Sequence, residues 1–186
     1  MLEGTVAVFG GSFNPPHMGH QLACLYLLEG MGAQGVWLVP TYTHAFGKAL
    51  APFADRVAMC QRLAAPLGER VAVLQTERDA NAGGRSYLLM QALRRQYPQQ
   101  RLALVIGGDI LHEVHKWYKW DALRDLVHIV VLGRQGFGDV HADTPLALPA
   151  VSSTEVRRRL QAGENVHGLV PVGVAEYVQQ HGLYRE

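Results

Sequence analysis

Apolar runs of strand length alternate with segments of helical period along most of this chain, and that alternation limits the folds open to it. TVAVFG, GVWLVP, RVAVLQ, LALVIGG and HIVVLG read as strands, with a shorter sixth in LALPAV. Between and after them stand MGHQLACLYLLEGM, a helix from about Phe53 to Leu67 with Val57, Cys60, Leu63 and Ala64 on its apolar face, SYLLMQALRRQYP, the short stretches ILHEVHKW and WDALRDL, and finally STEVRRRLQAG and VGVAEYVQQHG. Strands separated by helices pair in parallel through crossovers and are covered on both faces. The expectation is an α/β fold: a doubly wound, mostly parallel sheet of about six strands, closed by C-terminal helices. No repeat or linker divides the 186 residues, so residues 1–186 are expected to form one domain, and 48% hydrophobic against 18% charged side chains suits a substantial core.

In such a sheet, ligands sit beyond the carboxyl ends of the strands, where the strand order reverses. That rule gives FGGSFNPPHMGH, the stretch between the first strand and the first helix, its importance. Gly10 and Gly11 can take positive φ and admit a phosphate close to the backbone. Ser12 offers a hydroxyl, Pro15 and Pro16 stiffen the approach, and Gly19 removes a side chain that would crowd a ligand. Free N–H groups and the dipole at the helix start favour an anion. His17 and His20, three apart at that start, share a face and can address one phosphoryl group, stabilising charge that shifts in a transition state. Two bland readings compete: histidines packed in the core, or a metal pair, for which no third ligand at a defined spacing is seen. A GxxxxGKS/T loop and a GxGxxG turn are both absent, which disfavours a P-loop phosphotransferase and an ordinary dinucleotide oxidoreductase.

A second anion-friendly helix start appears in PAVSSTEVRRRL. Ser152 and Glu155 fit a capping box, and Arg157 lies one turn inside, able to return to a phosphate; Arg158 and Arg159 suit solvent or carboxylates. A capped basic surface helix is the plain alternative. The formal net charge is only +1, so phosphate binding must be local, and neither nucleic acid nor membrane is expected as a partner. Cys24 and Cys60 are too few for a disulfide framework and read as reduced core residues. MLEGTVAVFGG reads as a strand, not a secretory leader, and no run has the ~18 apolar residues of a membrane helix, so a cytoplasmic location is expected.

GGSFNPPHMGH together with VSSTEVRRRL resembles the paired HxGH and ISSTxxR motifs of the nucleotidyltransferase superfamily. FADRVAMC, RSYLLMQALRRQYP, LVIGGD, HKWYKW and LVPVGVAEYVQQHGLY extend the resemblance, in order, to bacterial nicotinate-mononucleotide adenylyltransferases. The resemblance implies a Rossmann-like nucleotidyltransferase fold. It also implies a reaction in which the mononucleotide phosphate attacks the α-phosphorus of ATP, giving a dinucleotide and pyrophosphate without a protein nucleophile. It assigns His17, His20 and Arg157 to catalysis, with His20 at the α-phosphoryl group. It places Gly10, Gly11, Ser12, Phe13, Ser153 and Thr154 around ATP, with Gly107 and Asp109 at its ribose. Asp109 also reads as an N-cap for ILHEVHKW. Mg2+ is expected on the ATP phosphates, with no metal ligand from the protein. Trp117 falls where the family stacks the pyridine ring; it and Trp120 are three apart and read as one helix, one lining the pocket and the other core. Tyr87, Tyr118 and Arg134 are the remaining candidates for the mononucleotide. Lys48, in the loop at 41–52, reads either as a phosphate ligand or as a surface lysine.

The chain departs from the family at three places: Asn14 replaces a common aspartate, the loop TYTHAFGKAL lacks a proline-proline-histidine-lysine string, and Leu88 follows Tyr87 where a threonine hydroxyl is usual. The last leaves nicotinate and nicotinamide mononucleotide both open as substrates. Rival readings are a related nucleotidyltransferase with another phosphate acceptor, such as phosphopantetheine or a polyol phosphate, and a nucleotide-binding module without the reaction. The sequence gives no oligomeric state.

Overall fold

The structure, a computed structural model, describes residues 1–43, 47, 49–135 and 147–185, without the Arg134 side chain. Six parallel strands form one sheet: β1 (Thr5–Gly11), β2 (Gly35–Pro40), β3 (Val71–Val73), β4 (Arg101–Gly107), β5 (His128–Arg134) and β6 (Ala147–Leu148). Their order is β3-β2-β1-β4-β5-β6, so the order reverses between β1 and β4. The register sets Val8 opposite Trp37 on one side and Leu104 on the other. The doubly wound parallel sheet expected from the apolar runs is the observed fold.

Both faces of the sheet are covered because its strands are apolar on both. On one face Ala7, Val36, Leu38, Ala103, Val105 and Val130 pack under α1 (Met18–Leu25), α2 (Phe53–Ala64), α6 (Ser153–Gln161) and α7 (Val172–Gln180). On the other, Val6, Val8, Val39, Leu104 and Ile106 meet Leu89, Met90 and Leu93 of α4 (Ser86–Gln96) and Leu123 of α5 (Trp120–Leu126). Val57, Cys60, Leu63 and Ala64 are buried as the helical period of α2 requires. Cys24 and Cys60 are free core thiols; burial pushes the pKa of Cys24 up to about 12 and raises that of Cys60 as well. No helix among the described residues is long and apolar enough to cross a membrane.

Several elements differ from the sequence reading. RVAVLQ yields only a three-residue strand, and the polar segment behind it holds a short helix, α3 (Thr76–Asp79). The first helix continues as a π-helical turn at Tyr26–Gly30. ILHEVHKW lies in a 3-10 stretch, Gly108–Lys116, which ends in extended backbone at Trp117. Trp117 and Trp120 are therefore not on one helix: Lys119 turns the chain with a φ of 53°, and the two indoles meet edge to face at 5.8 Å.

Candidate active site

A cavity of about 770 Å³ opens at the carboxyl ends of β1 and β4, where the strand order reverses. Gly10, Gly11, Ser12 and Phe13 form one wall with His17 and His20; Gly107 and Asp109 form another; Ser153, Thr154 and Arg157 enter from α6. Trp117 and Tyr118 line it from the end of the 3-10 stretch. His17, His20 and Arg157, predicted for the phosphates, and Trp117 and Tyr118, predicted for the mononucleotide, thus line one space.

The glycines reach that space differently than expected. Gly10 and Gly11 are strand residues paired with Val39 and Pro40, and neither has positive φ; the left-handed residue is Phe13, at 45°. Phe13 is buried, and a Cβ on Gly11 would press its ring at 3.3 Å, so Gly11 makes room for Phe13. Gly19 serves His17 in the same way, since a Cβ there would lie 3.1 Å from the imidazole.

His17 occupies the N-cap position of α1 and is 6% exposed. Its ring stacks on that of His20 with centroids 3.7 Å apart, and Phe13 meets His20 edge-on at 4.9 Å. The His17 N–H donates to Nδ1 of His20 at 3.1 Å. An imidazole that accepts at Nδ1 carries its proton on Nε2, so His20 holds a ring N–H as a donor on its far side. The helix start itself supplies less than expected: the Met18 N–H donates to the Leu169 carbonyl at 2.8 Å, and those of His20 and Gln21 donate to the carbonyl of His17. Affinity for an anion here falls chiefly on side chains.

On α6, Ser152 Oγ accepts the Glu155 N–H at 3.1 Å, which is half of the expected capping box; the Glu155 carboxylate turns instead to Arg158 and Arg159. Ser153 donates its hydroxyl to the Pro15 carbonyl at 2.8 Å. Arg157 donates to the Asn14 carbonyl at 2.6 Å and to Thr154 Oγ1 at 3.3 Å, which ties α6 to the histidine loop. Three of its five guanidinium N–H groups are not engaged by these two contacts.

Asp109 is not an N-cap. Gly107 holds that position, Asp109 is the second residue of the 3-10 stretch, and its carboxylate folds back so far that a Cβ on Gly107 would overlap it. Tyr87 and Leu88 do not line the cavity: Tyr87 accepts from Gln91 at 3.0 Å and meets Tyr118 edge-on, while Leu88 packs against the buried cluster beneath α4. Lys48, His44 and the side chain of Arg134 lie outside the described residues.

Several polar lining residues escaped the sequence reading, Thr41 and Glu113 among them. Arg85 and Ser86 stand at the start of α4, Lys116 lies on the 3-10 stretch, and Glu77 lies on α3. Arg85 sits over the ring of Tyr118 at 4.9 Å. Glu77 is buried, with Oε1 accepting the Gly84 N–H at 3.0 Å and Oε2 without a hydrogen-bond partner among the described residues. Burial pushes its pKa up to about 7 against the opposing pull of the Tyr42 and Gly84 N–H groups. Only Arg85 and the HKWYKW string carried a hint, since basic and aromatic residues beside a helix start suit a phosphorylated aromatic ligand.

No group of three or more His, Cys, Asp or Glu side chains among the described residues is arranged to hold a metal. Imidazoles, hydroxyls and a guanidinium line the histidine end, a donor set for an anion. A divalent ion fits this end as a companion of a polyphosphate.

The cytidylyltransferase-like family model matches residues 8–159. A protein of Anaeromyxobacter dehalogenans (strain 2CP-1), named probable nicotinate-nucleotide adenylyltransferase, is 48% identical over 185 residues, covering 97% of this chain and 96% of its own. One of the same name from Myxococcus xanthus is 37% identical over 179 residues, covering 96% and 94%. Among solved structures, Plasmodium falciparum nicotinic acid mononucleotide adenylyltransferase complexed with NaAD has a TM-score of 0.79 at 16% identity over 98% of each chain, a likeness of fold.

Proposed function

Because this chain belongs to the cytidylyltransferase-like family, and within it to the nicotinate-nucleotide adenylyltransferases, we propose that its cavity joins ATP to nicotinate mononucleotide. The observation that carries this reading is the pairing of stacked imidazoles at the start of α1 with a guanidinium on α6, tethered to the loop just before them and lining the same space.

A phosphate oxygen of the mononucleotide attacks the α-phosphorus of ATP. The new P–O bond forms as the bond to the β-phosphate oxygen breaks, and pyrophosphate leaves. The protein supplies placement and charge, not a nucleophile. His20 donates from Nε2 to the α-phosphoryl oxygens, where charge redistributes, and His17 supports the ring face to face. Arg157 and Thr154 hold the triphosphate and the departing pyrophosphate, while Ser153 secures the loop. Magnesium carried in on the phosphates would share their charge. Asp109 and Gly107 receive the ribose of ATP, and Trp117 and Tyr118 the pyridine ring.

The nicotinate carboxylate is favoured over the carboxamide for two reasons. Arg85 and Ser86 line the cavity, whereas Leu88 packs against the buried cluster beneath α4 and does not line it. Turnover with ATP or CTP and with nicotinate or nicotinamide mononucleotide, followed by pyrophosphate release, tests the reading. Fastest release with ATP and the nicotinate form is expected. ATP binding without release, or faster release with the nicotinamide form or with CTP, contradicts it.

A further inference from the structure

Asn14 is 3% exposed and sits where four separate pieces of chain meet. Its Oδ1 accepts the Ala51 N–H at 3.1 Å and the Tyr184 hydroxyl at 2.8 Å. Because a backbone N–H can only donate, the Ala51 contact fixes which end of the amide is oxygen, and both acceptor sites of that oxygen are then filled. The backbone carbonyl of the same residue receives Arg157 at 2.6 Å. Two prolines later the chain reaches His17.

The surroundings hold this junction rigidly. Arg56, 1% exposed, donates to the carbonyls of Ala51, Ser12 and Thr41 at 2.9, 2.9 and 2.7 Å, binding the segment around Ala51 to the end of β1. Tyr184, beyond α7, packs its ring on the core and keeps a φ of 62°, a left-handed conformation that a tyrosine adopts only when its surroundings impose it. Burial raises the pKa of the Tyr184 phenol, with Arg56 and Arg157 pulling the other way, so its hydroxyl remains a donor.

We propose that the Tyr184–Asn14 hydrogen bond is a positioning contact of the reaction: it fixes the segment whose carbonyl holds Arg157 and whose continuation carries His17 and His20. Guanidinium and imidazoles then meet the polyphosphate in register. The inference rests on the adenylyl-transfer reading above. Tyr184 touches neither substrate, and its effect passes through Asn14.

The test compares wild type, Tyr184→Phe, Asn14→Asp and Asn14→Leu, with MgATP and nicotinate mononucleotide, at a temperature where each is folded by circular dichroism. Phenylalanine keeps the ring and its packing and removes only the donor. Misalignment of groups that act on the transition state lowers kcat more than it raises KM. For Tyr184→Phe we expect kcat to fall about tenfold, with the KM for ATP changed less than about threefold. Asn14→Asp, which keeps the acceptor, should lose less kcat than Asn14→Leu, which is of similar size without it. An unchanged kcat in Tyr184→Phe, whatever its melting temperature, or a change confined to KM, overturns the positioning role, as does an aspartate variant no better than the leucine. A wild type that makes no dinucleotide contradicts the adenylyl-transfer reading itself, an outcome distinct from an active wild type with an indifferent phenylalanine variant.

Discussion

His20 is held on three sides, by the ring of His17, the edge of Phe13 and the N–H that reaches its Nδ1, so the place and tautomer of its ring are set before any ligand arrives. A preorganised donor of this kind contributes where charge develops and little to ground-state binding. His20→Ala should therefore lower kcat by about 10²–10³ while the KM for ATP stays within about threefold; steady-state kinetics at varied ATP checks this, and equal losses in both would count against it. Glu77 makes a different prediction. Its pKa is raised from an ordinary 4.5 to about 7 in the fold, so the unfolded chain releases the proton first as pH rises. The contribution of this residue to stability is complete below about pH 4.5 and is lost as pH climbs towards 7. Glu77→Gln lacks that loss. Denaturation at pH 5 and pH 8 should show the stability of wild type relative to the glutamine variant falling by about 2 kcal/mol between the two; parallel profiles would refute it.

Helix α6 owes its start to one hydroxyl. Ser152→Ala leaves the Glu155 N–H without its cap, a cost of about 1 kcal/mol. For a chain of this length that corresponds to a fall in Tm of about 2–4 °C, readable by calorimetry. Elements of this kind were legible beforehand to very different degrees. The strands, α2 and α4 carry enough apolar period to be read directly, and the two motif-bearing helix starts announce themselves through proline, serine and histidine. α3 spans only four residues in TERDANAGG, too short for a period, and burial of Glu77 there arises from packing that a polar string does not reveal. The break at Lys119 between the two tryptophans was equally hidden, because a left-handed lysine has no signature in the sequence. The bond from Tyr184 to Asn14 joins residues 170 apart and follows only from the fold.

At the scale of the molecule, the sheet order brings these parts together. β1 and β4 are neighbours although about ninety residues separate them in the chain, and the parting of crossovers to opposite faces leaves the cavity between their ends. Both helix starts converge on it because α1 follows β1 while α6 returns across β5 and β6 to the same edge. The start of α1 and α6 are expected to hold one polyphosphate between them. A crystal structure with a non-hydrolysable ATP analogue and magnesium tests it most directly. The prediction is a single triphosphate within hydrogen-bond distance of both His20 Nε2 and the Arg157 guanidinium; a triphosphate that touches only one of them, or lies outside the cavity, would contradict it.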